Sequence, residues 1–191
     1  MSKSQIRTEG LLSRRAIPHL RLVRESQLVE ENVVSQREYQ EARVVASYVS
    51  TEDEVQTIGI IRRMLAEGKK VTAPLADAPT GTLAFLEIHG LGDLSPGHFG
   101  ILEPRRGTPP VPLSESDLVL VPLVAWDVRG YRIGYGKGYF DRALAARGRS
   151  LSVGLALESQ RVPRVPEGPT DVPLDMVVTE KRVLRFTRRG E

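Results

Sequence analysis

Apolar and polar positions over residues 2–43 follow a helical pattern, with predicted breaks near Pro18 and Ser35. The run ARVVASYV at residues 42–49 is short and β-branched, which is typical of a buried strand. A further helix is predicted from Thr51 to about residue 67, because Thr51 and Glu54 have the T-x-x-E spacing of a capping box. Its apolar positions recur at helical spacing: Val55, Ile58, Ile61 and Leu65.

The rest of the chain alternates between apolar runs of strand length and one helical segment. The continuous apolar run at residues 117–127 has the composition of a central strand, and residues 139–148 follow a helical pattern. The other predicted strands lie at residues 69–74, 82–89, 150–157 and 175–186. This alternation indicates the α/β class, with parallel strand pairs and helices on both faces of the sheet.

Length and composition narrow the class of protein. The 191 residues fit one domain, residues 1–191. The absence of cysteine excludes a disulfide framework, a thiol nucleophile and a cysteine-ligated zinc site. The basic N-terminus lacks the apolar core of a signal peptide, and no apolar run is long enough to span a bilayer. We therefore expect a cytoplasmic protein without a membrane partner.

Positive charge is concentrated at the two ends of the chain, although the net charge is only +3. Residues 1–24 contain six basic side chains and one acidic side chain. The C-terminal segment adds Lys181, Arg182, Arg185, Arg188 and Arg189. Such clusters favour an anionic partner, either a nucleic acid or a phosphorylated small molecule, and a solvated basic surface explains them equally well.

Glycines are concentrated between the apolar run and the helix that follows it: Gly130, Gly134, Gly136 and Gly138. Closely spaced glycines let backbone N–H groups surround a phosphate, and a following helix N-terminus adds to that effect. Arg132 and Lys137 place positive charge beside the loop. Asp141, one helical turn beyond, is suited to hold Mg²⁺ against phosphate oxygens.

This loop matches neither of the common nucleotide-binding patterns. Gly138 follows Lys137, which excludes the P-loop, and the G-x-G-x-G order excludes the dinucleotide fingerprint. A tight connection between a strand and a helix is the alternative explanation for the glycines. That alternative does not explain why Arg132, Lys137 and Asp141 occupy the same turn.

The run GYRIGYGKGYFDR at residues 130–142, after a strand ending in Trp-Asp, resembles the signature of 5-formyltetrahydrofolate cyclo-ligases. The N-terminal KSQIR resembles the family's K-x-x-L-R, and YVSTEDEVQT at residues 48–57 resembles its Y-x-S-x-x-(D/E)-E-V-x-T segment. GKKVTAP, HFGILEP, VGLALESQ and VVTE follow the family order, so the resemblance covers nearly the whole chain. The departures are Phe140 for a second tyrosine, Leu123 for a glycine, and Thr170 for a histidine in a C-terminal motif whose spacing also differs.

The resemblance implies one three-layer α/β domain with a mixed, mostly parallel sheet between helices. It also implies a ligase that converts 5-formyltetrahydrofolate, with or without a polyglutamate tail, to 5,10-methenyltetrahydrofolate, ADP and phosphate. ATP would be the co-substrate and Mg²⁺ the cofactor. We expect a monomer or weak dimer that does not bind nucleic acid.

The same resemblance assigns site residues. The catalytic pair is Arg132 and Lys137, which would balance charge on the transferred phosphoryl group. The ATP-binding residues are Lys3, Arg7, Arg132, Gly134, Gly136, Lys137, Gly138 and Asp141. The folate-binding residues are Val49, Glu54, Tyr135, Gly136, Lys137, Gly138 and Tyr139, with Trp126 as a further wall of the pocket. The metal ligands are Asp141 and Asp175.

Simpler functions remain open for several of these side chains. Lys3 and Arg7 fit a solvated helix face, and Glu54 fits its capping box. Trp126 fits the core. The aspartates also have structural explanations, as a first-turn helix residue and as a turn residue before a strand. His19, His89 and His98 lack metal-ligand spacing, so we assign them structural or surface positions.

Three other functions compete with the ligase. A non-catalytic paralogue would bind folate or nucleotide without turnover; Arg132, Lys137 and Asp141 argue against it, and the altered C-terminal motif keeps it open. A nucleic-acid-binding module would use the basic ends, but few aromatic residues are interleaved with them. A sugar-phosphate isomerase would need a paired acid and base near the glycines and would not use ATP.

Overall fold

The computed structural model describes residues 1–97, 100–105 and 107–187. Its α-helices are α1 (Lys3–Arg15), α2 (His19–Val34), α3 (Arg37–Glu41), α4 (Ile58–Ala66) and α5 (Tyr139–Ala145). The predicted breaks are confirmed, because α2 begins directly after Pro18 and ends directly before Ser35. In these ranges, no helix is long and apolar enough to cross a bilayer. His98, Arg188 and Arg189 lie outside the described residues.

The strands are β1 (Val44–Ser47), β2 (Lys70–Asp77), β3 (Thr82–Ile88), β4 (Leu94–Pro96), β5 (Leu102–Pro104), β6 (Leu118–Val121), β7 (Ala125–Trp126), β8 (Arg132–Ile133), β9 (Leu151–Leu155), β10 (Met176–Val178) and β11 (Val183–Arg185). The main sheet has the order β11–β10–β9–β6–β1–β2–β3. Its inner pairs are parallel, and the edge strands β3 and β11 are antiparallel to their neighbours. The predicted α/β class with a mixed, mostly parallel sheet is confirmed.

Both faces of this sheet are covered, because successive side chains of a strand point to opposite faces. Val45 and Leu118 pack in the apolar cluster that includes α2 and α4. Their neighbours Ala46 and Val119 pack in a second cluster, which includes Leu144 of α5. The result is the expected arrangement of helices, sheet and helix in three layers.

A third apolar cluster attaches α1 to the small β7–β8 pair. Ile6 of α1 packs there with Val124, Ala125 and Ile133, all of them buried. Because residues 134–138 follow β8 directly, this packing places α1 beside them. We call residues 134–138 the glycine loop.

The helix predicted to start at Thr51 begins instead at Ile58, so that prediction was wrong in its start. Ser50 and Thr57 close the intervening residues into a loop, because each backbone N–H donates to the other's hydroxyl at 3.0 and 3.1 Å. Within this loop the Thr51 N–H donates to Glu54 Oε2 at 2.8 Å. The T-x-x-E pair thus forms half of a capping box outside a helix.

Two predicted strands are each divided. The run at residues 117–127 breaks after β6, because Pro122 has no N–H for the ladder, and its second half pairs with β8. Residues 175–186 form two strands, since the chain reverses direction after β10 and β11 pairs antiparallel to it. Both divisions create short antiparallel pairs in place of one longer strand.

Candidate active site

A cleft of about 1240 Å³ lies beyond the carboxyl ends of β1 and β6, where ligands of parallel sheets bind. It is bordered by α1, the residues that follow β1, the glycine loop and the start of α5. Small-ligand pockets usually measure roughly 300–1,000 Å³. The cleft therefore has room for two ligands side by side.

The shape of the glycine loop depends on Arg7 of α1. Its Nε donates to the Gly134 carbonyl at 2.8 Å. Gly136 has φ +95°, and a Cβ added there would lie 3.0 Å from Arg7 Cζ. Gly138, with φ +68°, is the N-cap residue directly before α5. Glycine at 136 is thus required both by the backbone conformation and by the close approach of a guanidinium.

Arg132 and Asp141 form an ion pair on the wall of the cleft. Arg132 donates to Asp141 Oδ1 at 2.9 Å and to the Val172 carbonyl at 2.7 Å. Its side chain is only 4% exposed, and burial lowers the pKa of the guanidinium. The positive charge predicted at this position is therefore held in a fixed orientation.

Lys3 lies on the same wall and bonds to Asp171, which also accepts from the Gly168 N–H at 2.6 Å. Asp171 was not among the predicted site residues. Its signal was present, since it precedes Asp175 by four residues in the same segment. Both Lys3 and Asp171 line the cleft together with Lys137.

Asp175, the predicted second metal ligand, does not line the cleft. It is buried, and its Oδ2 accepts from the Ser152 N–H at 2.8 Å and the Ser152 hydroxyl at 2.9 Å. Arg147 completes a salt bridge at 3.3 Å. The structure therefore corrects the prediction: Asp175 lies outside the cleft and bonds β9 to the start of β10, whereas Asp171, four residues earlier, lines the cleft.

Trp126, the predicted extra wall of the folate pocket, is also absent from the cleft lining. It is fully buried in the cluster beneath α5, and its indole N–H donates to the Leu157 carbonyl at 3.2 Å. The structure corrects this prediction too, because the side chain packs in the core.

A chain of three polar side chains links the glycine loop to α1 and to the residues that follow β1. Glu54 is 5% exposed, and its Oε1 accepts from the Tyr135 hydroxyl at 2.7 Å. Arg14 donates to the same hydroxyl at 2.6 Å. Burial, together with the Glu54 charge, raises the pKa of Tyr135 to about 12, so the phenol stays protonated at neutral pH.

Arg14 lines the cleft but was not predicted to do so, although its spacing in the sequence contains a signal. Lys3, Arg7 and Arg14 share one face of α1 by helical spacing. Val49 and Tyr139 also line the cleft, as do Gly134, Gly136 and Gly138. The structure thus brings the other predicted residues together and leaves out only Trp126 and Asp175.

The donor atoms at the cleft are suited to Mg²⁺, which prefers oxygen ligands and retains several waters. Oδ1 of Asp141 accepts the hydrogen bonds from Arg132 and from the Val172 N–H, and Oδ2 of Asp171 accepts those from Lys3 and the Gly168 N–H. In each carboxylate the other oxygen is the one suited to a metal ion. Across the described residues, no three His, Cys, Asp or Glu side chains are grouped to hold a metal. Any ion at the cleft would therefore need ligands from phosphate and water.

Comparison with known proteins gives a consistent result. The model of the 5-formyltetrahydrofolate cyclo-ligase family matches residues 1–180. The 5-formyltetrahydrofolate cyclo-ligase of Haemophilus influenzae is 34% identical, over 90% of this chain and 94% of that protein. The Escherichia coli enzyme of the same name is 36% identical, over 74% of this chain and 80% of that protein.

A solved structure extends the similarity to the fold. The Aquifex aeolicus 5,10-methenyltetrahydrofolate synthetase, determined by NMR, is 34% identical and superposes with a TM-score of 0.87. The match covers 100% of this chain and 95% of that one. Since the family model and these relatives span most of the sequence, the chain belongs to the 5-formyltetrahydrofolate cyclo-ligase family.

Proposed function

We propose that this protein converts 5-formyltetrahydrofolate and ATP to 5,10-methenyltetrahydrofolate, ADP and phosphate, with Mg²⁺ as cofactor. One observation carries the proposal: a single cleft is lined both by the glycine loop with its cations and by the buried carboxylate of Glu54. The loop and its cations suit the phosphates of ATP, and the Glu54 carboxylate suits the N–H groups of a pterin. The reacting atoms would meet between them.

The chemistry explains why ATP is needed. A formyl amide is a poor electrophile, because the nitrogen lone pair is delocalised into the carbonyl. Transfer of the γ-phosphoryl group to the formyl oxygen makes that oxygen a good leaving group and the carbon iminium-like. The nitrogen at folate position 10 then attacks the carbon, its proton is lost, and phosphate departs with the former formyl oxygen.

This reaction requires positioning and charge stabilisation from the protein, with no nucleophilic side chain. We assign charge stabilisation of the transferred phosphoryl group to Lys137 and Arg132, which both line the cleft. Arg132 is oriented for this by Asp141 and the Val172 carbonyl. Its burial in a low-dielectric wall strengthens its field at the cleft.

Lys3 and Arg7 are assigned to ATP as well. Arg7 holds the Gly134 carbonyl and thereby fixes the loop that would surround the phosphates. Lys3 is paired with Asp171, and an anion would compete for its ammonium group. Asp141 and Asp171 would hold Mg²⁺, which supplies charge neutralisation at the phosphate oxygens when bound.

On the folate side, Glu54 would accept hydrogen bonds from the pterin, while Val49 and Tyr139 would contact its faces. We also propose that the substrate is used with or without a polyglutamate tail. The protein would act in the cytoplasm, where ATP is available, as a monomer or weak dimer.

The non-catalytic paralogue is the second candidate function, since Thr170, which departs from the family motif, lines the cleft.

The test is the absorbance of methenyltetrahydrofolate when the protein meets 5-formyltetrahydrofolate, Mg²⁺ and ATP. The ligase predicts a rise that requires ATP and collapses in Lys137→Ala. Lys181→Ala, outside the cleft, is the matched control and should retain the rise. Folded protein that binds both ligands without product formation would identify the non-catalytic paralogue instead.

A further inference from the structure

Arg14 is a buried cation whose charge is not balanced by a carboxylate in direct contact within the described residues. It is 4% exposed, and its Nε and one terminal nitrogen have no hydrogen-bond partner. Leaving such donors buried and unpaired is costly, so a group that pairs them would bind favourably. Arg14 lines the cleft, which makes a ligand of the cleft the natural partner.

In the described chain, this guanidinium makes its hydrogen bond and its ring contact with Tyr135. The hydroxyl accepts from Arg14 at 2.6 Å, and the ring centroid lies 5.4 Å from the Arg14 Cζ. The same hydroxyl donates to Glu54 Oε1 at 2.7 Å. One oxygen therefore accepts from the cation and donates to the carboxylate at the same point.

These two charges define the chemistry of a group that could replace the hydroxyl. An anion would pair with Arg14 but would be repelled by Glu54, and a cation would meet the reverse problem. A neutral group with an acceptor beside a donor satisfies both. A cyclic amide edge, with its C=O next to its N–H, has this arrangement, and the pyrimidinone ring of folate carries such an edge.

We propose that Arg14 recognises the pyrimidinone carbonyl oxygen of the folate ring, beside the N–H groups bound by Glu54, and that the Tyr135 hydroxyl holds this position until the substrate arrives. The inference rests on the proposed function and adds a specificity-determining residue to it. The exchange is feasible because Tyr135 is 49% exposed and lies between Gly134 and Gly136, the latter with φ +95°. Its side chain can leave without unpacking the core.

The test measures Kd by calorimetry, without ATP, for 5-formyltetrahydrofolate and for its analogue in which an amino group replaces the ring carbonyl. We expect the unsubstituted protein to prefer the carbonyl form by about 10- to 100-fold, as for hydrogen bonds to charged groups. Arg14→Met should weaken binding of the carbonyl form by the same factor and leave the Kd of the amino analogue unchanged, so that the preference shrinks by that factor. The preference that remains comes from Glu54, because the amino analogue also lacks the ring N–H beside the carbonyl. The KM for ATP should not change.

Tyr135→Phe separates recognition from a merely structural contribution. Removing the competing hydroxyl should tighten binding of the carbonyl form several-fold, whereas a hydroxyl that only supports Arg14 would give weaker binding. If Arg14→Met does not fold, Arg14→Lys keeps the charge but loses the forked donor geometry, and it should still reduce the preference.

The outcomes divide clearly. A preference of unchanged size in the folded Arg14 variants, or weaker binding by Tyr135→Phe, overturns this inference while the ligase activity stands. A protein that neither binds 5-formyltetrahydrofolate nor forms product overturns the proposed function, and the inference with it.

Discussion

Gly136→Ala tests the link between the glycine loop and ATP most sharply. At φ +95° a non-glycine residue costs about 1–2 kcal/mol of stability. The added Cβ would also lie 3.0 Å from Arg7 Cζ and 3.2 Å from its Nε. The guanidinium can move aside, but it then loses its bond to the Gly134 carbonyl.

The two costs act on different quantities. The backbone cost lowers the free energy of unfolding, measured by urea denaturation. Loss of the Arg7 bond, about 1.5–3 kcal/mol for a charged donor, deforms the loop and lowers kcat/KM for ATP by about 10- to 100-fold. The KM for 5-formyltetrahydrofolate should change much less.

Gly68→Ala is the matched control. Gly68 also has a positive φ of +75°, yet an added Cβ would meet no atom within 4 Å, and the residue lies outside the cleft. It should lose about the same 1–2 kcal/mol of stability with unchanged kinetics. ATP kinetics that are equally unaffected by Gly136→Ala would refute the assigned coupling between Arg7 and the loop.

Three further predictions follow from single side chains. Asp171→Asn should raise the Mg²⁺ concentration needed for half-maximal activity, whereas Asp175→Asn should cost about 3 kcal/mol of stability without that shift, because it breaks a buried pair. Trp126→Phe should cost about 2 kcal/mol in urea denaturation and leave the KM for folate unchanged, since the indole packs in the core. A hydrogen bond from Arg129 lowers the pKa of Glu167 from 4.5 to about 2, so its contribution to stability is present above pH 4.5 and is lost as the pH falls toward 2. Glu167→Gln should therefore be less stable than the unsubstituted protein at pH 7, and the difference should shrink steadily as the pH falls from 4.5 to 2; a difference of unchanged size at pH 2 would contradict this.

Much of the fold was predictable because apolar patterning is local. The helices α1 and α2 and the strands β1 and β9 follow from spacing and composition within a few residues. The start of α4 could not be predicted in this way, because the hydrogen bonds between Ser50 and Thr57 override a capping signal at Thr51. Local propensity indicated a helix there, and side-chain bonds closed a loop instead.

The same distinction applies to the cleft. The motif predicted the glycine loop and its cations correctly as neighbours, since they are close in sequence. Only tertiary structure distinguishes Asp171 from Asp175, because the residues that bury Asp175, Ser152 and Arg147, come from another part of the chain. Likewise, Arg14 meets Tyr135 across 121 residues of sequence.

The central claim is that ATP activates the formyl oxygen within this cleft. The most direct measurement is the mass of the released phosphate after turnover of 5-formyltetrahydrofolate labelled with oxygen-18 in the formyl group. We predict that one labelled oxygen appears in the phosphate for each methenyltetrahydrofolate formed. Product formation with unlabelled phosphate would contradict phosphorylation of the formyl oxygen, and with it the assignment of Lys137 and Arg132 to that step.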